Sequence, residues 1–200
     1  MPGTSTVNEG SFQVRPRIRG LDSNRILVLV DGERLNNART STSQSGVEIG
    51  LVGTNQIETL EVVRGNGSVL YGTDALGGII NIITKDAPKR NADGFKFGAT
   101  FNGLYSSNES GRRGNIALKG SSKFFSFRVA QSLERYNNYF SGDLDNRTLS
   151  GVNADGEVLN SQSHGSNTQI TTRFFFDENN DLRLNYERRR GGNIGVPTLV

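Results

Sequence analysis

The chain has 200 residues, of which 34% are hydrophobic and 25 are glycine, and its formal net charge is +3 with 23 basic and 20 acidic side chains. This weak, mixed charge gives no reason to expect nucleic-acid binding. No run of 18 apolar residues occurs, which excludes a transmembrane helix, and the absence of cysteine excludes disulfide scaffolds and thiolate metal sites.

Three short apolar runs without alternation occur in the first 85 residues. They are Ile26–Val30, residues 60–63 and residues 79–83. Runs of this kind predict strands that are buried on both faces of a sheet. Pro88 and mixed charges interrupt the pattern at residues 86–94, which predicts a boundary between two differently built regions.

Beyond this boundary, apolar and polar residues alternate strictly. Phe97 and Phe101, for example, share one face of a segment whose other face carries Lys96 and Thr100. The alternation predicts five strands, at residues 95–105, 115–120, 125–133, 168–177 and 182–187. The links at residues 121–123 and 178–180 are tight, whereas those at 106–113 and 137–167 are longer. Short turns at one end and long loops at the other are typical of a membrane-spanning β-barrel.

Two architectures fit this alternation. A membrane barrel would turn Phe97, Phe101, Phe127 and Phe174 outward to lipid, whereas a soluble antiparallel sandwich would pack them in its core. Five strands alone would leave two unpaired edges, which are costly in a bilayer, so we expect the sequence to be a fragment. The basic run at residues 188–190 is interpreted as a solvated loop edge.

A series of short motifs lies in the first 85 residues. They are Ile18-Arg19-Gly20, residues 28–32 (VLVDG) with Arg34 and Leu35, residues 57–65 (IETLEVVRG), residues 70–72 (LYG), residues 75–78 (ALGG) and residues 80–82 (INI). Each motif is common alone. Their order and spacing together resemble the second half of the plug domain of the TonB-dependent outer-membrane receptors. The motif sequences are most similar to those of receptors of the cobalamin and colicin I type.

The resemblance implies a fold of two parts. A mixed α+β plug domain would be followed by antiparallel transmembrane β-barrel strands, as a fragment of a 22-stranded barrel. Residues 1–86 would form the distal part of the plug domain, and residues 87–200 the first five strands of the outer-membrane β-barrel. The first residues carry no signal peptide, so we expect the signal peptide, the TonB box and the first half of the plug to lie outside this sequence.

The resemblance also implies a function, namely active uptake of a large scarce nutrient such as an iron–siderophore, haem or cobalamin at the cell outer membrane. The plug would gate the barrel, and the TonB energy-coupling protein would act through the missing TonB box. Outer-membrane lipid would be the other partner. With one histidine and no cysteine, no catalytic set can be assembled, so we expect no enzyme and no cofactor apart from a possible structural calcium.

Charged residues at strand ends are candidates for locking the plug in place. In this family, the arginines that match Arg19 and Arg64 meet carboxylates of the barrel wall, and such pairs are strong because guanidinium binds carboxylate bidentately. Glu58 and Glu61 could instead pair with Arg64 locally, and a plain surface role is the remaining alternative.

Glycines are the second group of candidate plug residues, because they permit tight turns and close backbone approach. They are Gly20, Gly32, Gly65, Gly72, Gly77 and Gly78. A phosphate-binding loop is the alternative for this segment, but neither a third glycine at the required spacing nor a Gly-Lys-Ser/Thr sequence follows Gly65 and Gly67.

Two polar loops are candidates for binding. By resemblance, residues 36–46 hold the position of an apical substrate loop, with ligand contacts from Asn36, Asn37, Arg39, Thr40, Ser41, Thr42, Ser43 and Gln44. Asp143, Asp145 and Asp155 in the long loop could bind calcium through hard oxygen ligands, although residues 153–156 are read more simply as a hairpin tip. His164 is interpreted as a loop residue, with a haem-ligand role as the alternative.

Other classes of protein remain as alternatives to a transporter. A soluble β-rich ligand-binding module would keep residues 36–46 as its ligand loop but would need no lipid-facing stripe. A hydrolytic enzyme would use Asp31 or Asp74 in a cleft. An adhesin or a structural porin would share the barrel, but the plug motifs argue against it.

Overall fold

The computed structural model describes residues 3–9, 13–21, 25–34, 52–65, 75, 77–142, 151–153 and 155–195. The chain divides into two compact units, Met1–Lys85 and Asp86–Val200. No helix among the residues that the structure describes has the length and apolar character needed to cross a bilayer.

The first unit contains two small sheets. Strands β1 (Thr4–Glu9) and β2 (Gln13–Ile18) form an antiparallel hairpin. The second sheet contains β3 (Ile26–Val30), β4 (Glu33–Arg34), β5 (Ile57–Arg64) and β6 (Gly78–Thr84), in the order β4-β3-β6-β5. The β3–β6 pair is parallel and the other two pairs are antiparallel. The three predicted apolar runs are therefore all strands.

The core of this unit lies around the two central strands, β3 and β6, whose side chains are mostly apolar. Ile26, Ile80 and Ile82 pack with Ile18 and Val52 in one buried cluster. A second cluster holds Leu27, Leu29, Ala75 and Ile79. Residues of β3 and β6 thus supply most of the side chains in these two clusters.

The prediction of two buried faces is wrong for residues 60–63. Leu60 is 54% exposed and Val63 is 55% exposed, because β5 is an edge strand with a partner on one side only. A 3-10 turn at Thr54–Gln56 leads into β5. None of the described residues is α-helical, so the helical component of the mixed α+β plug stays a prediction.

The second unit is one antiparallel sheet in which neighbours in sequence are neighbours in space. Its strands are β7 (Lys96–Ser106), β8 (Gly111–Ser121), β9 (Phe125–Tyr136), β10 (Ser163–Phe175) and β11 (Asp181–Gly192), in the order β11-β10-β9-β8-β7. The five predicted strands are confirmed, and most of them extend further than predicted, because their polar ends continue the ladder.

The connections correct three interpretations made from the sequence. The link expected over residues 106–113 is a short turn at 107–110. Residues 163–167, expected in the long loop, belong to β10, so His164 is a strand residue. The basic run at residues 188–190 lies inside β11 and is not a loop edge. The tight turns at the opposite end, 122–124 and 176–180, agree with the prediction.

Candidate functional site

The sheet of the second unit exposes its apolar side chains and buries its polar ones. Phe97, Phe101 and Phe174 are 61%, 77% and 44% exposed, whereas Ser126 and Thr171 are fully buried. Because side chains alternate between the faces of a strand, this divides the sheet into an outward apolar face and an inward polar face. A sandwich packs its apolar residues inside, so this arrangement does not favour the soluble-module alternative.

Side-chain hydrogen bonds link the strands across the inward face. Asn115 Nδ2 donates to Ser132 Oγ at 2.8 Å, between β8 and β9. Arg128 of β9 donates to Gln169 Oε1 of β10. Thr171 Oγ1 donates to Asn185 Oδ1 at 2.9 Å, and Asn167 Nδ2 donates to Glu187 Oε1 at 2.9 Å, between β10 and β11. These bonds satisfy polar groups that would otherwise be buried at a cost.

The outward face is close in height to the lipid-facing band of a β-barrel. On β9 it extends from Phe125 to Leu133, about 27 Å along the strand, or about 21 Å along the normal at a tilt of about 40°. Lipid-facing bands of β-barrels are roughly 25 Å tall, with aromatic girdles at their borders. Phenylalanines border this face at its short-turn end, where the Phe125 ring lies 6.4 Å from that of Phe95 and 6.3 Å from that of Phe127.

An ion-pair cluster ties the start of the second unit to its sheet. Asp181 accepts two hydrogen bonds from the Arg173 guanidinium, at 2.9 and 2.8 Å. Asp86 approaches Arg173 Nη1 at 3.5 Å and Arg183 Nε at 3.3 Å. No sequence pattern indicates this cluster, because Asp86 lies in the linker, far in sequence from both arginines.

The turn at 176–180 is organised by one carboxylate. Asp177 Oδ1 accepts the backbone N–H groups of Asn179 and Asn180, both at 2.8 Å, and Oδ2 accepts the Asn180 side chain at 2.7 Å. The side-chain bond from Asn180 and the backbone bond from Asn179 lower the pKa of Asp177, because they favour its charged form.

The described part of the long connection between β9 and β10 is a folded hairpin. Asn153 Nδ2 donates to one oxygen of Glu157 and Asn138 Nδ2 donates to the other, both at 2.9 Å. Val152 and Val158 form an antiparallel bridge, so the described residues 153 and 155–157 lie at the tip, in line with the simpler interpretation of this segment. Asp155 is exposed at this tip.

The calcium hypothesis is not tested by this loop. Asp143 and Asp145 lie outside the described residues. Within the described part of the chain, no group of three acidic, histidine or cysteine side chains is placed to hold a metal. Calcium therefore stays a prediction.

Two turns of the first unit place two consecutive residues at positive φ. They are Arg19–Gly20, with φ of 52° and 80°, and Asp31–Gly32, with φ of 51° and 84°. Positive φ at both central residues matches the right-handed twist of a hairpin. Asp31 is held by β6, since its carboxylate accepts the Thr84 N–H at 2.8 Å and the Thr84 hydroxyl at 2.7 Å. Asp31 thus anchors a turn, whereas the hydrolase alternative would need it in a cleft. Asp74 lies outside the described residues.

The predicted plug-locking residues lie at the surface of the first unit. Glu61 accepts a 2.9 Å hydrogen bond from Asn81 Nδ2, and Asn81 Oδ1 accepts the Gly32 N–H at 3.1 Å, so Glu61 is linked to the Asp31–Gly32 turn. Arg19, Glu58 and Arg64 are exposed. The pairing of Arg19 and Arg64 with wall carboxylates stays a prediction.

Among the predicted turn glycines, Gly78 has the most restricted position. Its φ is 150°, and a Cβ there would lie 2.7 Å from the Val63 carbonyl oxygen and 3.0 Å from Ile18 Cδ1. Only glycine permits this approach of β6 to β5. At Gly77 a Cβ would lie 3.0 Å from Leu21 Cβ, whereas Gly65, at φ 131°, has open space around it.

Further predicted site residues also lie outside the described residues. They are Gly72 and the proposed ligand loop, with Asn36, Asn37, Arg39, Thr40, Ser41, Thr42, Ser43 and Gln44. Their roles stay predictions.

Comparison with known proteins identifies the first unit. Residues 1–79 match the family model of the TonB-dependent Receptor Plug Domain. The chain is 40% identical over 82 residues to the Vitamin B12 transporter BtuB of Vibrio vulnificus, which is 41% of this chain and 13% of the relative. It is 46% identical over 88 residues to an iron-regulated outer membrane virulence protein of Vibrio cholerae, which is 42% of this chain and 13% of the relative.

Solved structures share the fold over nearly the whole chain. The copper transporter OprC matches with a TM-score of 0.74 and 18% identity, over 95% of this chain and 26% of that one. The siderophore receptor PirA from Acinetobacter baumannii matches with a TM-score of 0.67 and 18% identity, over 96% of this chain and 28% of that one. The chain therefore spans only a minor part of the proteins that it matches. Residues 1–79 are therefore similar to the plug domain of TonB-dependent receptors, and the chain shares its fold with parts of these solved structures.

Proposed function

We propose that the chain is part of an outer-membrane transporter in which a plug gates a β-barrel. The observation that carries this proposal is the sidedness of the β7–β11 sheet, with Phe101 77% exposed and Thr171 fully buried, in a chain that also contains a plug domain. An apolar outward face suits lipid, and a polar inward face suits a lumen.

The barrel would contain about 22 strands, of which β7–β11 are the first five. Strands β7 and β11 form the edges of the described sheet, and further strands would pair with both of them in the whole protein. In support, the chain matches only 26–28% of the length of the two solved relatives named above. The plug would be of the mixed α+β type.

The transported nutrient would be an iron–siderophore, haem or cobalamin. The names of the relatives refer to vitamin B12, iron regulation, copper and siderophores. Together they support uptake of a scarce nutrient more strongly than they support any single substrate. Residues 36–46 would face the substrate with their hydroxyl and amide groups. TonB would supply the energy through a TonB box N-terminal to the plug, and we propose no catalytic role.

Uptake in cells tests this proposal. Accumulation of labelled cobalamin, haem and a panel of ferric siderophores would be compared between cells with and without the full-length gene, and in cells lacking TonB. We expect one ligand class to accumulate only when both the gene and TonB are present. Accumulation that does not depend on TonB, or a full-length protein found outside the outer membrane on fractionation, would contradict the proposal.

A further inference from the structure

The linker that opens the second unit is bound to the sheet by its first residue. The Asp86 carboxylate lies 3.5 Å from Arg173 Nη1 and 3.3 Å from Arg183 Nε. The two arginines lie directly opposite each other in the β10–β11 ladder, where like charges destabilise a sheet. A carboxylate between them offsets this repulsion. Asp86 and Arg173 are partly buried, and partly buried ion pairs are screened less by salt than exposed ones.

The linker also contacts both short turns at this end of the sheet. Arg90 Nε donates to the Lys123 carbonyl oxygen at 2.9 Å, and Arg90 Nη1 lies 3.7 Å from Glu178 Oε1. The Asn91 N–H donates to the Ser122 carbonyl oxygen at 3.1 Å. Ser122 and Lys123 belong to the β8–β9 turn, and Glu178 belongs to the β10–β11 turn. Residues 86–91, called the linker anchor below, therefore contact segments from β8 to β11 before the chain enters β7.

The chain on the other side of the boundary is held by the first unit. The Lys85 N–H donates to the Gln56 carbonyl oxygen at 2.7 Å, and Lys85 Nζ donates to the Asn55 carbonyl oxygen at 3.0 Å. Lys85 is the last residue of the first unit and Asp86 is the first residue of the second. Successive residues are thus bound to different units, so the boundary falls at a single peptide bond.

The linker anchor has features that a flexible connection lacks. Flexible linkers are rich in glycine and serine, whereas residues 86–91 contain neither, and Ala87 is buried. The Ala87 N–H donates to Asp86 Oδ1 at 2.7 Å, and the ring of Pro88 fixes its φ. A backbone with little freedom loses little conformational entropy when it binds the sheet. The anchor is therefore suited to hold its contacts under load.

We propose that the linker anchor bears the load when the plug is pulled, so that the chain beyond Asp86 stays bound to the sheet. This inference rests on the proposed function, in which a plug gates the barrel and TonB supplies the energy. Asp86 is the first residue of the second unit that a pull through the first unit reaches. Without the anchor, the load would pass to Lys96, where the β7–β8 ladder begins, and a ladder loaded at its end opens one pair at a time.

Single-molecule force spectroscopy of the full-length protein in a lipid bilayer tests the inference, with the pull applied at the N-terminal end of the plug. Residues 86–95 extend over at most about 35 Å. We expect the wild type to release them as a separate step of this length, with its own force peak after the plug has extended. In D86N/R90Q this peak should vanish, and the extension of the plug should lengthen by about 35 Å.

The matched control is K89Q/D93N, which also removes one basic and one acidic charge from the linker, at two exposed positions. It should keep the force peak. The later peaks, from extraction of the barrel strands, should be the same in D86N/R90Q as in the wild type. A uniform fall of all peaks would assign Asp86 and Arg90 a general stabilising role and overturn the inference.

Three further results would overturn the inference. They are a wild type without a separate linker step, a D86N/R90Q variant that keeps the step at the wild-type force, and a K89Q/D93N variant that loses it. If D86N/R90Q does not reach the membrane, R90Q replaces it with K89Q as its control. The peak should then occur at a lower force in R90Q than in K89Q, and equal forces contradict the inference.

Failure of this inference can be told apart from failure of the proposed function, because the pulling experiment needs neither TonB nor a ligand. Uptake that depends on TonB, combined with a wild type that has no linker step, sinks the linker anchor alone. Uptake that does not depend on TonB, or a protein outside the outer membrane, sinks the transporter proposal.

Discussion

The two units of this chain bury opposite kinds of side chain. In the first unit, Ile18, Ile80 and Ile82 belong to a buried apolar cluster. In the second unit, Ser126, Gln169 and Thr171 are buried, while Phe97 and Phe101 are exposed. Both units are built from β-strands of one chain, so strand propensity alone does not explain why they bury different kinds of side chain.

In the proposed transporter, the difference follows from what each sheet faces. A domain in water gains stability by removing apolar area from solvent, at about 25 cal/mol per Å². A sheet in lipid has no such gain from an apolar core, and its polar groups need partners on the side away from lipid. The Asn115–Ser132 and Thr171–Asn185 hydrogen bonds supply such partners.

The largest expected effect comes from a large-to-small substitution in the buried apolar cluster of the first unit. Ile82 is fully buried, and Leu60 lies opposite it in the ladder but is 54% exposed. Ile82→Ala should lower the opening free energy of β6 by about 2–5 kcal/mol, because it removes methyl groups from a packed site. Leu60→Ala should cost less than about 1 kcal/mol. Hydrogen exchange of the β6 amides in the full-length protein measures both changes in opening free energy. Equal losses would mean that another part of the protein covers β5 and buries Leu60.

A charge on the lipid-facing side should cost slightly less. Val129 lies at the middle of the outward face, opposite Leu118 and Ile170. Val129→Arg should destabilise the folded protein in vesicles by about 2–4 kcal/mol. Thr100→Arg, in the inward alternation of β7, should cost less than about 1 kcal/mol. Urea midpoints for folding into vesicles measure the difference, and a Thr100→Arg penalty as large as that of Val129→Arg would contradict the sidedness.

A third comparison separates backbone strain from crowding within the first unit. Gly78 and Gly65 both have φ near or above 130°, but only Gly78 would place a Cβ 2.7 Å from a carbonyl oxygen. Each change to alanine should cost about 1–3 kcal/mol in strain. Gly78→Ala should cost more than Gly65→Ala, as measured by exchange of the β5 and β6 amides. The reverse order would show that the close approach of the two strands is not tight.

The smallest expected effect is the pH dependence of the turn at 176–180. The folded pKa of Asp177 lies below its ordinary value, so its contribution is present above the ordinary carboxyl range and is lost as the pH falls through the lowered pKa. Protection of the Asn179 and Asn180 amides should therefore fall in acid, after correction for intrinsic exchange. Asp177→Asn, which cannot titrate, should abolish that fall. A persistent acid transition in the variant would assign it to another group.

The sequence predicted the elements that depend on local pattern. Period-2 alternation located all five strands of the second unit, and apolar runs located β3, β5 and β6. The hairpin of β1 and β2 was not predicted, since residues 4–18 combine weak apolar character with Pro16. The burial assigned to β5 was wrong because edge position is a property of the sheet order, which no local pattern contains.

The candidate sites were harder to predict because register creates them. Asn115, Ser132, Asn167 and Glu187 of the inward face come together only through the strand pairings. Asp86 likewise reaches Arg173 and Arg183 only after the sheet has formed.

Accessibility along one strand tests the central claim, that the sheet of the second unit turns its apolar face to lipid. The 200 residues contain no cysteine, so single spin labels can be introduced at positions 116, 117, 118 and 119 of β8 without background from this part of the protein. In the full-length protein in vesicles, labels at Ile116 and Leu118 should be accessible to oxygen and shielded from a polar relaxant, and labels at Ala117 and Lys119 should show the opposite. Equal access to the polar relaxant at all four positions, or alternation in the reverse phase, would contradict the account.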